Sequence, residues 1–304
     1  MVTVFGQPST PKIISLSLDG NQFEIYNKIA RNYKHSFLFE SVEGGEKVGR
    51  YTFLGADPFL TVTAKGKVVE VTRNKKTSKH QGNVFEILRR LVEKFHSVGT
   101  ENLPPFSAGA VGYAGYNVVQ LIEPKVPKFR KDDVKMPDAV FLFFATILAF
   151  DHVKHEIHVI ANVRCDEWEG SLRKGYNDAC RRITQVEKAL SGPLPLPMTK
   201  KSADALKVRS NVGKKAHCDA VKKAKEYILA GDIFQVVLSH RLEMDPGVEP
   251  FQIYRALRMV NPSPYLFYLH LDDTVILGSS PEMLVKVKNG EVFYRPIAGT
   301  RARG

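Results

Sequence analysis

Phe141-Leu142-Phe143-Phe144-Ala145-Thr146-Ile147-Leu148-Ala149-Phe150-Asp151, the turn His152-Val153-Lys154-His155, and Glu156-Ile157-His158-Val159-Ile160-Ala161-Asn162-Val163 form the stretch that decides the fold class. Two long apolar runs rich in Phe, Ile and Val read as one antiparallel strand pair, 141–151 with 156–163. The apolar window 139–150 is too short to span a bilayer, so it reads as a buried strand and no membrane association is expected.

Outward from this pair, residues 51–53 and 68–71 read as strands. Val84, Ile87, Leu88, Leu91, Val92 and Phe95 recur at helical spacing and predict a helix over 84–95. A longer helix follows the strand pair, with Leu172, Tyr176, Ala179, Ile183, Val186 and Leu190 on one side. Ser191-Gly192-Pro193-Leu194-Pro195-Leu196-Pro197 ends it, because proline cannot continue a helix and extends the residue before it. The chain divides on this reading into a domain at 1–190, a proline-rich linker at 191–210 and a second domain at 211–304. In the second, Ala220, Ala224, Tyr227 and Ile228 predict a helix over 219–230 closed by Gly231. Strands are expected at 234–239, 265–271, 275–277, 284–287 and 292–294. Long antiparallel pairs mixed with helices point to an α+β fold, not a doubly wound sheet.

The 304 residues allow a sizeable core, and 43% hydrophobic with 25% charged content is that of a globular protein. Met1-Val2-Thr3-Val4-Phe5-Gly6 lacks a basic segment leading into an apolar run, so no secretory signal is expected. Cys165, Cys180 and Cys218 are odd in number and lack metal-ligand spacing, which fits thiols in a reducing cytoplasm. The net charge of +12 gathers partly at Lys65, Lys67, Arg73, Lys75, Lys76 and Lys79. That reads as a solvated basic hairpin. Aromatic residues do not interleave with it as in single-strand binders, so no nucleic-acid partner is expected.

Gly109-Ala110-Val111-Gly112-Tyr113-Ala114-Gly115 is spaced G-x-x-G-x-x-G. A dinucleotide loop needs G-x-G-x-x-G, so these glycines read as a strand crossing or bulge. Asn261-Pro262-Ser263-Pro264 makes a rigid turn into the aromatic strand Tyr265-Leu266-Phe267-Tyr268. Gly231-Asp232-Ile233-Phe234-Gln235-Val236-Val237 reads as a helix end turning into a strand, where a buried Gln235 must be structural or face a site. Pro296-Ile297-Ala298-Gly299-Thr300-Arg301-Ala302-Arg303-Gly304 reads as a strand entering a turn. Gly299 admits a ligand close to the backbone, Thr300 offers a hydroxyl, and Arg301 and Arg303 suit carboxylates.

Taken in order, these segments resemble the chorismate-utilising enzymes, anthranilate synthase component I in particular. Ser36-Phe37-Leu38-Phe39-Glu40-Ser41 and Gly49-Arg50-Tyr51 resemble the family's amino-acid-binding segment, and Pro137-Asp138-Ala139 and Phe150-Asp151-His152 also agree. Phe39 stands where leucine is usual, and Asn117 where the family often has Asp.

The resemblance implies two stacked, mostly antiparallel sheets with helices outside, incomplete at the C-terminal side. It implies that Glu40, Ser41, Pro264, Tyr265 and Leu266 bind tryptophan as feedback inhibitor, and that Gly299 and Thr300 contact chorismate. Gln235 and Ala298 would set specificity. Water-adding relatives carry a lysine base in place of Gln235, and aminodeoxychorismate synthases carry a nucleophilic lysine in place of Ala298. The implied reaction adds ammonia from a glutamine amidotransferase subunit to chorismate and releases pyruvate and anthranilate. Mg²⁺ is implied as cofactor, with ligands and an acid–base histidine beyond Gly304. An aminodeoxychorismate synthase, or a non-catalytic module binding tryptophan or a partner, are the alternatives.

Overall fold

The computed structural model describes residues 2–4, 15–16, 22–41, 49–95, 103–127, 132–167, 171–193, 207–297, 299 and 302. The chain forms two compact units, Met1–Leu196 with Tyr254–Gly304, and Pro197–Ile253. In chain order the elements are β1 (Val2–Val4), β2 (Ser15–Leu16), α1 (Gln22–Ile29), β3 (His35–Glu40), β4 (Tyr51–Ala56), β5 (Leu60–Lys65), β6 (Val68–Arg73), β7 (Lys76–Gln81), α2 (Val84–Lys94), β8 (Ala110–Ala114), α3 (Val119–Ile122), β9 (Ala139–Phe143), β10 (Thr146–Asp151), β11 (Glu156–Val163) and α4 (Leu172–Leu190). There follow β12 (Arg209–Ser210), α5 (Lys214–Ala230), β13 (Leu242–Glu243), α6 (Pro250–Val260), β14 (Tyr265–Leu271), β15 (Thr274–Ser280), β16 (Lys286–Lys288) and β17 (Glu291–Phe293).

The larger unit is built on two sheets. One runs β1-β11-β10-β4-β3-β14-β15, with β2 also on β11, and the other runs β7-β6-β5-β9-β8. Only the β1–β11 pair is parallel among the described strands of these sheets. Phe37, Val111, Leu142, Phe144, Ile147 and Leu269 form a core shared by the two sheets, so their inner faces are stacked. The outer face of the smaller sheet carries α2, whose Val84, Ile87, Leu88 and Leu91 pack with Leu60, Val62 and Val69. Asn83 starts that helix, its side chain accepting from Phe85 N at 2.9 Å. α1 and α4 pack on the larger sheet. The α+β class with two antiparallel sheets is thus the architecture of this unit.

The opening stretch corrects the sequence reading. Residues 141–151 are not one strand. Phe143 O still accepts from Phe59 N in the smaller sheet at 2.9 Å, whereas Ala145 O accepts from Asn162 N in the larger at 2.7 Å. The chain therefore changes sheets at Phe144-Ala145. Ala139, Phe141 and Phe143 face α2 while Val140, Leu142 and Phe144 face the other sheet. Both faces of β9 are buried, so the polar alternation that would mark a boundary is missing. The division drawn at 191–210 is not a division of the larger sheet either, because β14 pairs with β3 across it.

On α4 the buried positions are Gly175, Asp178, Ala179, Ile183 and Leu190, while Leu172 and Tyr176 of the expected face are exposed. The face is turned because Arg182 is drawn inward. It donates to Ala145 O (2.8 Å), Thr146 Oγ1 (2.8 Å), Asn162 O (2.7 Å) and Asp178 Oδ2 (3.1 Å). Gly112 lies opposite Phe141, and a Cβ there would stand 1.9 Å from Val140 O, which explains a glycine at that close approach. Half of the hairpin's cations are paired: Lys65 with Asp132 and Asp138, Arg73 with Asp166 and Glu167, Lys79 with Glu70.

The smaller unit contains β12, β13 and α5, which closes at Gly231 in the left-handed region (φ 82°). None of the α5 side chains is buried. The strand expected at 234–239 does not form, and Phe234, Gln235 and Val237 are exposed. Among the described residues no strand pairs with that segment, and an apolar run without a partner has no ladder to join.

Candidate functional site

β3 ends at Glu40, and its neighbour β14 begins at Tyr265; the register sets Leu266 directly opposite Glu40. Side chains opposite one another share a face of the sheet. Leu38 and Tyr268, also paired, continue the same row. Tyr268 meets Tyr26 of α1 and Tyr254 of α6 edge to face, with ring centroids at 5.4 and 5.6 Å. This face therefore looks toward α1 and α6 and is walled by aromatic rings.

Glu40 is 5% exposed, and a buried carboxylate requires donors. Tyr254 Oη donates to Glu40 Oε2, and Gln22 Nε2 donates to Oε1 at 2.9 Å. Arg258 Nε stands 3.4 Å from Oε1 as an ion pair. Tyr254 and Arg258, four apart, project from the same side of α6. Burial, and then the Glu40 charge, push the Tyr254 phenol far above its ordinary pKa, so it remains a donor. Ser41 follows half-buried.

The turn before β14 is held from β15. Ser279 Oγ donates to Asn261 O at 2.6 Å and lies 2.8 Å from Ser263 Oγ. That fixes Pro264 and the entry of Tyr265, whose side chain is 38% exposed. The structure thus brings Glu40, Ser41, Pro264, Tyr265 and Leu266 to one end of the β3–β14 pair.

A second polar pair lies nearby, between β4 and the turn that follows β10. Thr52 Oγ1 and His152 Nε2 are 2.8 Å apart. Burial lowers the His152 pKa against the opposing pull of Glu40. Arg50 Nη2 reaches Asp151 Oδ2 at 2.7 Å, and Val153 N and Lys154 N donate to Oδ1 at 3.1 and 3.2 Å.

The remaining sequence candidates are not gathered here. Gln235 is exposed in the smaller unit, where the expected burial does not occur. Ala298 and Thr300 lie outside the described residues. Gly299 is exposed, and a Cβ on it would meet nothing within 4 Å. Among the described residues no group of three or more His, Cys, Asp or Glu could hold a metal ion. None of the described helices is long and apolar enough to cross a membrane. Gln22, Tyr254 and Arg258 are not marked by a motif in the sequence, whereas His152 lies in the segment Phe150-Asp151-His152 that carries part of the resemblance. The available signal was the pair Tyr254 and Arg258, polar at i and i+4 beside the apolar Phe251 and Leu257.

The chain resembles proteins of known kind over most of its length. It is 43% identical over 275 residues to anthranilate synthase component 1 of Acetivibrio thermocellus, covering 88% of this chain and 55% of that protein. It is 39% identical over 291 residues to the Synechocystis protein of the same name, covering 91% and 57%. A crystal structure of anthranilate synthase component I from Streptococcus pneumoniae TIGR4 superposes with a TM-score of 0.65 at 27% identity, covering 83% of this chain and 56% of that one. The chain spans a little over half the length of these relatives. The sequence pattern of chorismate binding enzymes matches residues 14–304. On this match the chain belongs to the chorismate binding enzyme family.

Proposed function

We propose that this chain contributes the tryptophan site and the first part of the chorismate site of an anthranilate synthase component I. The observation that carries the reading is the β3–β14 register, which sets Leu266 opposite Glu40. Glu40 and Tyr254 meet although 214 positions apart. A buried carboxylate beside apolar Leu266 and Pro264 suits an amino acid with an aromatic side chain. Glu40, Ser41, Pro264, Tyr265 and Leu266 would border the pocket. The test is calorimetry with L-tryptophan on the wild-type chain and on Ser41→Phe. Saturable binding lost in the variant is expected. Equal binding by both overturns the site.

In the reaction, ammonia from a glutamine amidotransferase subunit adds to the chorismate ring as its hydroxyl leaves as water. Pyruvate is then eliminated and the ring becomes aromatic. Gln235 offers no base to activate water, and Ala298 offers no covalent nucleophile. Gly299 and Thr300 contact the substrate. Mg²⁺ would assist a dicarboxylate substrate, but the described residues form no cluster that could hold it. The test is this chain joined to the remaining part of a relative and supplied with chorismate, Mg²⁺ and ammonium. Ammonium-dependent anthranilate fluorescence is expected. Accumulation of isochorismate or aminodeoxychorismate overturns the specificity assignment.

A further inference from the structure

A cleft of about 660 Å³ opens in the larger unit at the other end of β3 from Glu40. Ala56 on its rim pairs with Ser36 at the start of that strand. The location follows from topology. The chain leaves one sheet for the other twice here, between β4 and β5 and again at Phe144-Ala145. A gap remains where both crossings part the sheets, within the size range of small-molecule sites.

Its lining is strongly one-signed. Lys28, Lys75, Arg164 and Arg182 face a single carboxylate, Asp57. The cations retain donors. Among the described residues no ion pair involves Lys75. Lys28 Nζ donates to Leu190 O at 2.7 Å, and an ammonium has two further N–H groups. Arg164 gives both Nη atoms to Glu167, at 2.9 and 2.7 Å. Its Nε is buried without a hydrogen-bond partner. Each of its Nη atoms carries a second N–H beyond the one given to Glu167. Arg182 is already held by Asp178, Ala145, Thr146 and Asn162 and adds only its charge to the wall of the cleft. Apolar surface is also present: Phe59 lines the cleft, and the Arg164 guanidinium lies over its ring at 5.4 Å.

We propose that this cleft binds a small phosphate monoester with an aromatic body, the phosphate among Lys28, Lys75 and Arg164 and the ring against Phe59. A phosphate dianion offers three strong acceptor oxygens, which suits several separate cations better than one carboxylate does. The site is distinct from the tryptophan site and does not depend on it.

The experiment is calorimetry of the full chain at low ionic strength with phenyl phosphate, inorganic phosphate and phthalate. Saturable binding of phenyl phosphate is expected, about tenfold tighter than inorganic phosphate. Lys75→Glu reverses a charge on an exposed turn and should weaken it about tenfold or more. Lys76→Glu, next in the hairpin but outside the cleft, should leave it unchanged, as should Ser41→Phe. The absence of saturable phenyl phosphate binding into the millimolar range overturns the site. Equal losses in Lys75→Glu and Lys76→Glu would reveal general charge attraction and also overturn it. Phthalate binding as tightly as phenyl phosphate would overturn the phosphate assignment.

Discussion

The phenol of Tyr254 and the carboxylate of Glu40 meet in a buried hydrogen bond that ties helix α6 to the end of strand β3. Both residues are 5% exposed or less, so water cannot replace either partner.

Tyr254→Phe keeps the ring and its packing on Tyr268 but removes the donor. Glu40 retains Gln22 and Arg258 yet loses one buried bond. The expected cost is about 1–3 kcal/mol of stability, read as a lower urea midpoint. Tryptophan affinity should fall with it, since Oε2 of Glu40 would lose its partner while Oε1 keeps Gln22 and Arg258. An unchanged midpoint would mean that the bond contributes nothing.

Asp151 predicts a pH dependence. Its burial alone would raise its pKa, but Arg50 and the N–H groups of Lys154 and Val153 outweigh that and hold it at about 2, against the usual 3.8. A carboxyl depressed on folding contributes stability above its unfolded pKa, and that contribution is lost as pH falls toward the folded value. Arg50 is partly exposed, so screening reduces the effect to about 1–2 kcal/mol at pH 7. Asp151→Asn should therefore lose about this much at pH 7 and show a flatter stability curve between pH 4 and 2, as followed by urea titration. Parallel curves for the two proteins would refute the assignment.

Gly112→Ala should be among the most damaging single-methyl changes. The added Cβ would fall 1.9 Å from Val140 O and 2.8 Å from Phe141 Cα, both backbone atoms that cannot rotate away. Overpacking against fixed backbone costs about 3 kcal/mol or more. Gly299→Ala, with nothing of the described chain near, should cost under about 1 kcal/mol. Comparing the two by thermal melts is the check.

The two long helices should differ in protection. α4 buries five residues, α5 none. Hydrogen exchange should be about tenfold or more slower in 175–190 than in 218–230, because local opening is easiest where few side chains are packed. Equal protection would show that α5 is covered in solution.

The sequence made some of this legible and hid the rest for identifiable reasons. α2 was readable because one side of it is wet, so Val84, Ile87, Leu88 and Leu91 stand out against Arg89 and Arg90. The sheet change at Phe144-Ala145 was hidden because both its flanks are buried and no glycine or proline marks it. The apolar run 234–239 looked like a strand, but propensity cannot supply a partner. At the site, Glu40 and Leu266 were found through motifs. Gln22, Tyr254 and Arg258 were missed because helices α1 and α6 deliver them from distant parts of the chain, and no local pattern records which carboxylate they serve.

The pairing of β3 with β14 also bears on how the protein is made. Residue 40 leaves the ribosome long before residue 265, and at about 5–20 residues per second the delay is roughly 10–45 s. Throughout it, the edge of β3 that β14 will cover presents an unsatisfied row of amide and carbonyl groups on a strand that carries Phe37 and Phe39. Such an edge invites pairing with neighbouring nascent chains. Holdase chaperones should therefore engage the nascent protein between these two points of synthesis and release it once β14 has emerged.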